Sequence, residues 1–489
     1  MSARILAAIV GIVAATVMLL WPAFYNGQAF FFPDTTTYVR GADAAVQRLT
    51  GASTPWTLPA NAGSQHVRSS VSSIKDKTVL SGRSVYYGML LYLGELAGSI
   101  SLSVGIQALL LVLALLATLE ALDMRGWRYA VPLIIVVAAF TAAPLYASFL
   151  MPDIFSGLTI LACGVLLTCN MQGHRAQEAF WFALLAMALT FHTTHVILAL
   201  AMLGVGALLY IWRRPPAIAR GLGAIGAALV AAYICGAAFN LAVTKLVGEP
   251  PLTPPFLMAR LVDDGPGYRY LVDTCPQNGF IVCKFIDRLP MPSDEFLWLQ
   301  DPKRGVFASS DPAVRRALSK EQYRFALAVM GHDPWEQIES SARNAAAQLM
   351  LLGVPEFDYI EESKTAFADK IPHAYFQVMK HTPAYLGTMP AHSISIVSYV
   401  STASGLACII FLLVSARGKG TEQLRRVAQL AVLVVFGVIA NAVICGTMSG
   451  PHDRYQARMA WLIPAMALIA HFAVYRAWWN KLFEFRSRA

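Results

Sequence analysis

Apolar blocks of about 20 residues recur along this 489-residue chain, the length an α-helix needs to cross ~30 Å of hydrocarbon. They fall at 5 to 24, 101 to 122, 129 to 148, 152 to 171, 178 to 193, 195 to 212, 220 to 246, 391 to 415, 427 to 447 and 457 to 475. Blocks of that length are read as spans, since backbone in lipid must satisfy its own hydrogen bonds. The expected fold is therefore an all-α polytopic membrane protein of about ten transmembrane helices. Charged residues make up only 14% of the chain, against roughly 25% in a soluble domain. The formal net charge of +9 sits largely in Lys and Arg beside the apolar blocks, where it sets topology and meets lipid headgroups; nucleic acid is not the expected partner.

Alternating the spans leaves Arg125, Arg128, Arg175, Arg213, Arg214, Arg220, Arg417, Lys419, Arg425, Arg426, Arg476, Lys481, Arg486 and Arg488 on one side. By the positive-inside rule that side is cytoplasmic, so both termini are expected inside. The first block follows a single Arg4 and lacks a small-residue cleavage site, so it reads as a retained helix. The plainest home is a bacterial inner membrane.

This reading divides the chain into an N-terminal transmembrane module, 1–247, an external segment, 248–390, and C-terminal transmembrane helices, 391–489. A first external loop spans 25–100, within which 84–98 is apolar but short and Gly-interrupted, as in an interfacial helix. The segment 248–390 is expected to be mainly helical, with helices over 311–332 and 334–352, the second opened by Asp333 as N-cap and Pro334 at the first helical position. Cys275 and Cys283 lie in that segment and form a disulfide if the compartment is oxidising; the other five cysteines lie in apolar spans.

Four polar clusters gather on the external side. In FFPDTTTY, Asp34 stands before a helix, placed either to cap it or to accept a proton from a substrate hydroxyl. In FLMPDIFSG, Asp153 occupies a tight turn between spans at similar depth, and the same two roles are open to it. In FHTTH, His192 and His195 are three apart and offer imidazoles for a phosphate or a metal, or are interfacial histidines. In SGPHDRYQARM, His452, Asp453, Arg454 and Tyr455 are consecutive and Arg458 follows one turn later. Arginine there is contrary to topological preference, and its planar fork suits a phosphate; the alternative is an ion pair with Asp453 or another external acid. Lys75, Lys77 and Arg83 add positive charge to the first loop.

At these residues the chain resembles the GT-C superfamily of integral-membrane glycosyltransferases, which use polyprenyl-phosphate-linked sugars. PDTTTY, with Asp34 and Tyr38, is similar to the acidic motif after the first span. GRSVYYGMLLYLGEL resembles the juxtamembrane helix, MPDIFSGLTIL the acidic turn between the third and fourth spans, and HDRYQARMAWLIPAMALI the Arg-Tyr element opening a late span. The acidic motif has one Asp where several families have two adjacent acids, and the large external segment lies between the seventh and eighth spans. The resemblance implies a GT-C-like bundle in which Asp34 is the general base, Asp153 orients a sugar, and Tyr38, Arg454, Tyr455, Arg458, His452, His192 and His195 bind substrate. It implies a polyprenyl-phosphate-linked sugar donor, membrane lipid around it, a glycan, lipid or protein acceptor, and no cofactor; a divalent metal is not indicated. Rival classes are a transporter or flippase of lipid-linked glycans, which would place charge near mid-membrane, and an acyltransferase or polysaccharide polymerase.

Overall fold

The computed structural model describes residues 3–57, 76–171, 173–213, 216–415 and 421–486. Lys75, Arg214, Arg417, Lys419 and Arg488 lie outside them. The described residues form helices and no strand, with isolated bridges at Phe30 to Phe149 and Leu80 to Leu252. Among the described residues six helices are long and apolar enough to cross a membrane: Leu102–Ala121, Thr193–Trp212, Ile218–Val247, Ala391–Val414, Glu422–Met448 and Asp453–Trp478. The remaining expected spans fall on the shorter helices Ala3–Leu19, Trp127–Phe140, Ile154–Thr168 and Arg175–Phe191.

Two expected spans are broken by a proline-led second piece, and a third, 457 to 475, is interrupted at Trp461 between Asp453–Ala460 and Leu462–Arg486. Residues 5 to 24 divide into Ala3–Leu19 and Trp21–Asn26, and 129 to 148 into Trp127–Phe140 and Ala143–Ala147. In both cases a proline, Pro22 or Pro144, stands in the first turn of the second piece, where its missing N–H is not needed. Helix Val85–Leu96 has 12 residues, too short to cross. It lies instead against helix Thr35–Thr50, and the two backbones meet at Gly88, where a Cβ would stand 2.3 Å from the Tyr38 carbonyl oxygen. That close approach sets Tyr38 edge-on to Tyr87, with ring centroids 5.1 Å apart.

The segment 248–390 has two parts. Residues from Leu252 to Val329 enclose a core of their own, around Phe296, Phe307 and Phe325. Residues from Val354 to Ala391 join the main core of the bundle. Helices Pro312–His332 and Pro334–Leu349 form where charge pattern and capping place them; the Asp333 side chain accepts from the Glu336 N–H at 3.1 Å. Cys275 and Cys283 are joined by a disulfide in the first part.

Candidate functional site

The two aspartates come together because the chain before Asp34 is stitched to the turn before Asp153. Phe30 N–H donates to the Ser148 carbonyl at 3.0 Å, Leu150 N–H to the Phe30 carbonyl at 2.9 Å, and the Thr35 hydroxyl to the Leu150 carbonyl at 3.0 Å. Phe30 meets Phe357 and Phe32 meets Phe149 edge to face, and Phe149 lies tilted against Phe357, with centroids 5.0 to 5.8 Å apart.

Both aspartates precede a helix, yet neither side chain caps it. Each carboxylate has a guanidinium instead. Asp34 Oδ2 accepts from Arg83 Nη2 at 2.5 Å, and both side chains keep about a quarter of their surface exposed (29% and 23%). Burial works against the charge on Arg83, but the Asp34 carboxylate outweighs it and holds the guanidinium more firmly protonated than usual.

Asp153 is wholly buried and takes a bidentate pair from Arg454, Nε to Oδ1 and Nη2 to Oδ2, both 2.8 Å. Arg458 adds a third bond to Oδ1 at 3.3 Å. The partner of Arg454 is therefore Asp153, some 300 residues away in sequence, while the neighbouring Asp453 accepts from the Gly353 N–H at 2.6 Å. The Arg454 guanidinium lies 4.3 Å from the centre of the Phe32 ring, and Arg458 lies 5.3 Å from that of Tyr455. Arg458 is almost fully buried, 3% exposed, and its Nε has no hydrogen-bond partner among the described residues.

Tyr38 is buried between these pairs, within electrostatic range of Asp34, Arg83, Asp153 and Arg454. Its hydroxyl is also without a partner among the described residues, and burial pushes it above the ordinary phenol value of 10.0. It is a neutral donor.

The histidines part company. His195 is buried and satisfied: Nδ1 lies 2.7 Å from the Ala188 carbonyl, which can only accept, and Nε2 lies 2.9 Å from the Ser156 hydroxyl. Both ring nitrogens are thus committed inside the core. His192 is half-buried and within electrostatic range of Asp153, Arg458 and Arg83. His452 is exposed, its backbone held by the Gln348 side chain through bonds of 2.8 and 2.9 Å. Among the described residues no group of three or more His, Cys, Asp or Glu converges as metal ligands.

One acid at this site escaped the sequence reading. Glu356 Oε1 accepts from the Tyr146 hydroxyl at 2.5 Å and lies within electrostatic range of Arg454 and Asp153. Burial raises its carboxyl to about 7 despite the bond from Tyr146. Nothing in PEFDY marks Glu356 as different from a surface acid; only the fold of 354–391 onto the bundle core buries it.

The outcome is a layer at one end of the bundle with Arg83, Arg454 and Arg458 set against Asp34 and Asp153, one positive charge in excess while Glu356 holds its proton. With a buried Tyr38 hydroxyl and Arg458 Nε both unpartnered, the layer is short of acceptors. An anionic ligand would supply them.

No protein-family model and no curated protein matches this chain. Among solved structures it is similar to the crystal structure of ArnT from Cupriavidus metallidurans in the apo state, at 13% sequence identity and a TM-score of 0.33, over 97% of this chain and 78% of that one. At that identity the likeness assigns no residue a role.

Proposed function

We propose that this chain is a membrane glycosyltransferase that moves a sugar from a polyprenyl-phosphate donor to a glycan, lipid or protein acceptor on the external side of the membrane. The observation that carries the reading is the cation excess around a buried carboxylate at one end of the bundle, with donors in want of an acceptor. A phosphate on an apolar tail answers that need. The disulfide in the segment 252–329 fits an oxidising, external compartment.

The chemistry divides among the residues by their exposure. Asp153, buried under two guanidiniums, is unsuited to take a proton and serves to hold Arg454 and Arg458 in place. Asp34, with one partner and an open side, is the base. The donor phosphate draws Arg83 away and frees the Asp34 carboxylate. Asp34 then removes the proton of the acceptor hydroxyl as its oxygen bonds to the anomeric carbon, and the bond from that carbon to the phosphate oxygen breaks with inversion. The leaving polyprenyl phosphate keeps the electron pair, and its charge falls to Arg454, Arg458 and Arg83, with Tyr38 donating a hydrogen bond. No acid need protonate a phosphate leaving group.

Purified protein incubated with a panel of radiolabelled polyprenyl-phosphate sugars tests this directly. Transfer by the wild type that collapses in folded Asp34→Asn and Arg454→Ala supports the assignment. Consumption of no donor, or an Asp34→Asn variant as active as the wild type, sinks it.

A further inference from the structure

The opposite end of the bundle holds a cavity of about 450 Å³ where helices Ile154–Thr168, Arg175–Phe191 and Pro216–Val247 meet. Its walls are mostly apolar, with Leu166, Phe182 and Ala224 prominent, and its polar lining is Asn170, Arg175, Glu178 and Arg220. The last three are exposed and stand at its mouth.

The packing makes this a shaped site. At Gly221 a Cβ would lie 2.2 Å from the Leu166 carbonyl oxygen, so helix Pro216–Val247 backs directly onto the end of helix Ile154–Thr168. The neighbouring Arg220 is thereby brought to Asn170, where its Nη2 donates to Oδ1 at 2.8 Å. That bond uses one of the five guanidinium N–H groups. Arg175 opens the facing helix. Two guanidiniums share the lining with the single carboxylate of Glu178, and the nearby Arg426 is already paired with Asp123 at 3.1 Å.

A wet mouth with surplus positive charge, an apolar wall behind it and a place at the ends of apolar helices are the requirements of an amphiphile with an anionic head. The volume suits a glycerophosphate head and the first part of its chains, within the range of small-ligand sites. We propose that this cavity holds one anionic phospholipid, its phosphate on Arg175 and Arg220 and its acyl chains along Phe182 and Ala224. It stands at the far end from the arginine layer and is independent of glycosyl transfer.

Delipidated full-length protein in detergent, titrated with phosphatidylglycerol, phosphatidylcholine and glycerol 3-phosphate and followed by native mass spectrometry, tests it. One phosphatidylglycerol per chain should bind more tightly than phosphatidylcholine, and Arg175→Gln/Arg220→Gln should weaken it about thirtyfold, the worth of two interfacial cations. Arg128→Gln/Arg425→Gln, which removes equal charge from the same end, should keep wild-type affinity. Ala224→Trp, which fills the cavity at constant charge, should lose the lipid as well and stands in if the arginine variant fails to fold. Equal binding of phosphatidylcholine, equal loss in the control variant, retention in Ala224→Trp, or glycerol 3-phosphate binding as tightly as the lipid would each overturn the proposal.

Discussion

Asp34 and Asp153 look alike in the sequence, each after a proline and before a helix, but the fold gives them opposite surroundings. Asp153 has no exposed side-chain surface and three bonds from two arginines; Asp34 has one partner and 29% exposure. Fully buried, a carboxylate bridging two cations is fixed in place and charge, because either change strands a guanidinium away from water. A partly exposed carboxylate with a single partner is free to exchange that partner for a substrate on the proposed reading. On that reading, one aspartate builds the site and the other acts in it.

Removing each carboxylate in turn is the sharpest way to break this comparison. Asp153→Ala leaves Arg454 and Arg458 unpaired in the buried layer, a loss of about 3–5 kcal/mol for one half of a buried pair. It should lower the thermal midpoint in detergent markedly and abolish transfer with it; a variant as stable as the wild type would show that Asp153 is not the anchor. Asp34→Asn should fold normally and melt within a degree or two of the wild type. Its transfer rate should fall by about 10²–10⁴-fold, the usual contribution of a general base. Equal melting losses in the two variants would erase the distinction between them.

Arg83→Gln tests the mobility assigned to the Asp34 pair. If Arg83 passes from Asp34 to the donor phosphate, its removal should raise KM for the donor by about tenfold, the worth of a charge-assisted bond. kcat should change less, since Asp34 is already free. A fall in kcat with KM unchanged would mean that Arg83 acts only on the base.

The architecture was largely legible because apolar length is read off the chain one residue at a time. Every expected span has a helix at its place, and Asp333 and Pro334 start theirs as their chemistry dictates. What composition did not disclose was where helices break, as at Pro22 and Pro144. The four polar clusters were visible as clusters, and they converge, the FHTTH pair through His192. Their pairing was not visible: that Arg454 reaches Asp153 and bypasses Asp453 depends on which helices touch, a long-range fact with no local signal. His195 illustrates the same limit from the other side, since its spacing from His192 reads as a shared face while its nitrogens are spent on Ala188 and Ser156. A His195→Phe variant should therefore lose stability more than it loses affinity for donor, measured by melting and by KM.

The smallest expected effect concerns Glu356, the acid that the sequence did not mark. Its carboxyl is raised from 4.5 to about 7, first by burial, so the folded state binds its proton more tightly than the unfolded state does. The stability it contributes is present in full below about pH 4.5 and disappears as pH rises through about 7, where folding must bury a charge. Melting curves between about pH 5 and pH 8 should show the wild type losing a few degrees that Glu356→Gln, which keeps an acceptor for Tyr146, does not lose. Above neutrality the ionised Glu356 also stands near Arg454 as a rival to any bound anion, so KM for the donor should climb over the same interval in the wild type and stay level in the variant. Parallel curves for the two proteins would mean that Glu356 is solvated, and that the arginine layer has only the two carboxylates to contend with.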